Sequence, residues 1–75
     1  MDEIIKLLEE LNLDVDPAEC DDLVDGGYLT SLDIVSLIAE LSDRFDISIP
    51  AREIVPENFN SAEAIWDMVE RLQDA

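Results

Sequence analysis

Between residues 31 and 45, Ile34, Leu37, Ile38, Leu41 and Phe45 line one side of a helical wheel. That pattern predicts a helix from Ser31 to Phe45 with a single apolar face. Such a face is stable only when other segments cover it, so the rest of the chain must supply partners. With 75 residues, the chain has room for one small domain, spanning 1–75. Cores of this size stabilise only marginally, and many chains this short add disulfides or a metal. Here there is one cysteine, Cys20, and no histidine. No internal disulfide can form, and the commonest metal ligand and general base is missing. Helix packing is what remains.

The other segments fit that role. Ile4, Ile5, Leu7, Leu8 and Leu11 recur at helical spacing over residues 4–11, with acids on the opposite side. Leu13-Asp14-Val15-Asp16 alternates, but Pro17 stops it from forming a strand. A long acidic connection over 12–30 follows, with turn signals at Asp16-Pro17 and Gly26-Gly27. Long loops in small domains are often functional. Leu23, Val24, Tyr28 and Leu29 are expected to pin this one to the core. After Phe45, the run Asp46-Ile47-Ser48-Ile49-Pro50 leads into a short helical piece, Ala51 to Val55, which Pro56 is expected to close. Asn60-Ser61-Ala62-Glu63 reads as an N-cap with its capping-box glutamate. Ile65, Met68, Val69 and Leu72 then carry a last helix, with Trp66 off the main stripe and expected to cover the core edge, partner contact being the other reading. The predicted fold is all-α: a small four-helix bundle of three main helices and one short one.

Charge narrows the choice of partners. Twenty acidic residues face four basic ones, for a formal net charge of −16. That field repels nucleic acid and anionic membranes and draws in basic protein surfaces. No stretch is apolar and long enough to span a membrane. The start, M-D-E-I-I-K, lacks the basic and apolar regions of a signal peptide. The expectation is a cytoplasmic monomer that binds neither nucleic acid nor membrane.

The second helix carries more than its core stripe. Leu32, Val35 and Ala39 fall on another side, beside Ser36 and Asp43. An apolar strip edged with acids suits transient docking, although Val35 also fits a wide core face. Just before it, Thr30 and Asp33 form a T-x-x-D start resembling a capping box. If Thr30 caps, the hydroxyl of Ser31 is spare, and a phosphate joined to it would sit at the positive end of the helix dipole. The competing reading makes Ser31 the cap, or a plain first-turn residue.

Over nearly its whole length the chain resembles the acyl carrier protein family. The likeness rests on Leu29-Thr30-Ser31-Leu32-Asp33-Ile34-Val35, where the family has D-S-L followed by a helix, and on Phe45-Asp46-Ile47-Ser48-Ile49-Pro50, with its F-x-x-x-I-P ending. Pro56 to Ile65 looks more like D-alanyl carrier proteins than fatty-acid carriers. The resemblance implies 4′-phosphopantetheine on Ser31, moved there from coenzyme A by a phosphopantetheinyl transferase that uses magnesium. It implies that cargo rides on the arm as a thioester, loaded by an acyl- or aminoacyl-ligase and passed to an acyltransferase or synthase. It also implies docking through Leu32, Asp33, Val35, Ser36, Ala39 and Asp43. Two departures stand out. Thr30 replaces the aspartate usual before the serine, and the peptidyl carriers' G-G-x-S is not met, because Gly26-Gly27 lie too far upstream.

The chain itself is expected to do no chemistry, since it shows no nucleophile–base pair. Cys20 lies in the acidic run Glu19-Cys20-Asp21-Asp22, which should raise its thiol pKa and blunt it as a thioester carrier. The acids from Asp14 onward miss the calcium-loop pattern, with Glu19 where glycine is needed. An unmodified acidic helical adaptor for basic partners is the alternative function, and it differs only at Ser31. Ile47, Ile54 and Ile65 are expected to be plain packing, with a chain-holding cleft as the other reading.

Overall fold

The structure is a computed structural model, and it describes residues 2–11, 13 and 15–74. The all-α expectation holds. Among the described residues, four α-helices run in the order α1 (Asp2–Glu10), α2 (Ser31–Phe45), α3 (Pro56–Phe59) and α4 (Ala62–Gln73), with a 3₁₀ turn at Ala51–Glu53 before α3. Helix α4 packs against α1, α2 and α3, so its apolar face is the surface on which the bundle assembles.

Sequence explains each helix. In α1, Ile4, Leu7 and Leu8 are buried, while Asp2 and Glu3 occupy the first turn, where the helix dipole favours negative charge. In α2, Leu37 and Leu41 are buried, and Ile34, Ile38 and Phe45 pack half-buried at the edges of the same stripe. In α4, Ala62, Ile65, Met68 and Val69 face inward. Phe59 is fully buried and is the largest side chain in the core. Burying a side chain of that kind stabilises by roughly 1.5–3 kcal/mol. Trp66 covers the core edge as expected, meeting the ring of Phe45 edge to face with centroids 5.9 Å apart.

Four boundaries differ from the sequence reading. The helical piece expected over Ala51 to Val55 is a 3₁₀ turn that stops at Glu53, with Val55 extended before Pro56. Helix α1 begins at Asp2 and ends at Glu10, so it starts earlier than the 4–11 pattern suggests. Pro56 opens a helix instead of closing one: it is the first residue of α3, where a missing N–H costs nothing. The N-cap of α4 is Ser61, whose hydroxyl accepts the N–H of Ala64 at 3.0 Å, and not Asn60. Asn60 ends α3, and its side chain is engaged elsewhere.

Among its described residues, the connection before α2 is tied down without helix or strand. Leu23 and Leu29 are buried, and Val24 and Tyr28 pack half-buried against the core, as expected. Within the acidic run that begins at Asp14, and in the Leu13–Asp16 alternation, Asp14 lies outside the described residues. Glu53 links the 3₁₀ turn to both following helices. Its carboxylate takes Arg71 Nη1 at 3.0 Å and Asn58 Nδ2 at 3.3 Å, and its carbonyl accepts Asn58 Nδ2 at 2.7 Å. Among the described residues, no helix is long and apolar enough to cross a membrane.

Candidate functional site at the start of the second helix

The loop that delivers α2 is shaped by a tight set of backbone bonds. The carbonyl of Leu23 accepts the N–H groups of both Tyr28 and Leu29, at 2.9 and 2.8 Å. Gly26 donates to Asp22 O at 2.6 Å, and a β-carbon at position 26 would lie 2.8 Å from the Tyr28 ring. Gly27 follows with φ of +82°, a conformation that side chains resist. The turn thus brings Leu29 into the core and sends Thr30 outward.

Thr30 is the N-cap, in extended geometry with φ −92° and ψ 172°. Its hydroxyl accepts the N–H of Asp33 at 3.2 Å, and the Asp33 carboxylate accepts the N–H of Thr30 at 3.1 Å. This is the reciprocal box that T-x-x-D suggested. Ser31 is therefore the first helical residue and is exposed. Among the described residues, its hydroxyl makes no hydrogen bond. The N–H groups of Ser31 and Leu32 have no carbonyl in the helix to bond, and they add to the positive end of the dipole. An accessible alcohol beside open N–H donors suits a phosphodiester, so the residues present fit a phosphopantetheine arm.

Along α2 the off-face strip is real. Leu32 is 80% exposed and Val35 63%, which rules out the wide-core-face reading of Val35. Ser36, Ala39 and Asp43 are exposed beside them, and Glu40 is exposed and paired with Arg44 at 3.5 Å. Asp33 is half-buried because its carboxylate closes the cap. Two further apolar side chains stand outside the core, Ile54 at 41% and Val55 at 38% exposed. Ile54 is thus a surface residue rather than packing, whereas Ile65 is fully buried and Ile47 half-buried. Sequence reasoning missed Val55. The signal was available in Pro56, which as a helix opener leaves the preceding residue extended.

Cys20 behaves as its neighbours dictate. Its thiol donates to Asp22 Oδ1 at 3.0 Å, and that bond, more than any other influence, pushes the thiol pKa up. Among the described residues, no group of three or more His, Cys, Asp or Glu side chains is arranged to hold a metal ion.

Comparison with known proteins meets this geometry. A family described as "Phosphopantetheine attachment site" matches residues 3–69. The D-alanyl carrier protein of Streptococcus sanguinis is 40% identical over 74 residues, covering 97% of this chain and 94% of that protein. Those of Streptococcus gordonii and Streptococcus mutans are 39% and 36% identical over the same shares. Fold, helix start and sequence agree, and the chain belongs to the phosphopantetheine attachment-site family, the carriers whose covalently attached group is 4′-phosphopantetheine.

Proposed function

We propose that Ser31 carries the 4′-phosphopantetheine arm and that the chain, acting as one monomeric carrier domain, shuttles a D-alanyl group between enzymes. The observation that carries the first half is the division of labour at the helix start. Thr30 caps, which leaves the Ser31 hydroxyl exposed and unbonded. The cargo is supported by the D-alanyl carrier proteins that align over nearly the full chain. When bound, the arm supplies a terminal thiol that holds an acyl group as a thioester.

The protein's own residues bind and present; they perform no chemistry. A tether at the helix end raises the local concentration of cargo at each partner's active site. Leu32, Val35 and Ala39 offer the apolar centre of a docking surface, with Ser36 and Asp43 at its rim. Asp33 serves the surface indirectly, by holding the cap. The partners are a phosphopantetheinyl transferase, an aminoacyl-loading ligase and an acyltransferase, each meeting the acidic face with basic residues.

Intact-mass measurement tests this directly. After incubation with coenzyme A, magnesium and a broad-specificity transferase, the chain should gain one phosphopantetheinyl group, and Ser31→Ala should gain none. Loading of the resulting form by a D-alanine-specific ligase, with little transfer of L-alanine or fatty acids, identifies the cargo. An unmodified wild-type chain under several transferases would favour the adaptor reading.

A further inference from the structure

Asn60 lies at the junction of α3 and α4, and its bonds reach back to the loop that delivers α2. Its backbone carbonyl accepts the N–H of Leu23 at 2.8 Å. Its side-chain oxygen accepts the N–H groups of Val24 and Asp25, each at 3.0 Å. Its side-chain nitrogen donates to Asp25 Oδ2 at 3.1 Å. One residue therefore makes four hydrogen bonds to three consecutive loop residues. Neither the cap of α4, which Ser61 supplies, nor core packing requires them.

The consequence runs along the chain. Leu23, held by Asn60, presents the carbonyl that accepts Tyr28 and Leu29. Leu29 is buried, Thr30 caps, and Ser31 follows. We infer that Asn60 is a positioning residue for the start of α2: a latch that fixes the delivering loop on the α3–α4 junction and so sets where Ser31 stands. An amide suits the task because it accepts from two N–H groups and donates to a carboxylate at once. A carboxylate at 60 would keep the acceptor but face the acid of Asp25. The link from the latch to arm transfer rests on Ser31 being the attachment site.

Residue-resolved amide hydrogen exchange on the full chain tests the latch in four forms: wild type, Asn60→Ala, Asn60→Asp, and Asn60→Asp combined with Asp25→Asn. The double form swaps acid and amide and leaves the net charge unchanged. Exchange at Val24, Asp25, Tyr28 and Leu29 should rise roughly tenfold in both single variants, while amides in α1 and α4 stay within about twofold. The double form should return the loop toward wild-type protection. In parallel, kcat/KM for arm transfer to Ser31 should fall about three- to tenfold in the single variants, mainly through KM, because fewer molecules present the competent geometry. It should recover in the double form. Uniform acceleration across all helices, unchanged loop exchange, or no recovery in the double form would each overturn the latch. If the wild-type chain accepts no arm, the assignment of Ser31 fails, and the exchange pattern still decides the role of Asn60.

Discussion

Thr30 and Asp33 hold each other across the first turn of α2, the hydroxyl of one accepting the N–H of the other while the carboxylate returns the bond. This exchange frees Ser31 from any structural duty, and the two neighbouring hydroxyls can be told apart by stability. Thr30→Ala should lower unfolding free energy by about 1 kcal/mol. Ser31→Ala should change it by less than about 0.5 kcal/mol. Urea titration followed by circular dichroism measures both. A larger loss at Ser31 would make it the cap.

Phe59 and Leu32 should respond in opposite ways. Phe59 is fully buried, and Phe59→Ala should cost about 3–5 kcal/mol, enough to abolish a cooperative melting transition in a domain this small. Leu32 is 80% exposed, and Leu32→Ala should leave melting unchanged to within roughly 0.5 kcal/mol while weakening binding to the loading ligase severalfold. Calorimetry and surface plasmon resonance read the two effects separately.

Partner binding should weaken steadily with salt. The acids beside the strip are exposed, and raising ionic strength to about 0.15 M shortens the screening length to about 8 Å. Association rate should fall more than dissociation rate changes, because steering acts on encounter. A flat response of ligase affinity across a salt series would remove charge from the docking argument.

Cys20 should alkylate slowly. Its thiol pKa is raised chiefly by the hydrogen bond to Asp22, so at neutral pH the reactive thiolate is scarcer than in an ordinary exposed thiol. The rate with iodoacetamide should keep climbing as pH passes the usual thiol range. Asp22→Asn should raise the neutral-pH rate by removing the charge that the thiolate would face.

Local rules carried much of the architecture. Helix α2 runs over the predicted residues because its stripe is long and its cap lies within three residues of itself. The exposed position Leu32 was legible for the same reason, since helical phase puts it off the core face, whereas Val35 also fitted a wide core face until its exposure decided the matter. The α3–α4 junction was not. Asn60 satisfies every local criterion for a cap, yet its side chain goes to residues 35 and 36 positions away. No periodicity encodes such a partner. Pro56 misled because a residue with no N–H can end one segment or begin the next, and only the following turn decides. Ile54 belongs to no repeating face, so hydropathy suggested packing where the side chain is open to solvent.

Leu32 and Val35 face away from Leu37 and Leu41 on the same rod. Under the docking role proposed above for Leu32 and Val35, recognition and folding are written on opposite sides of one element. On that proposal, substitutions on the outer side would retune the choice of enzyme without endangering the native state, and those on the inner side would not. Descendants of such a chain are free to acquire new clients one exposed residue at a time.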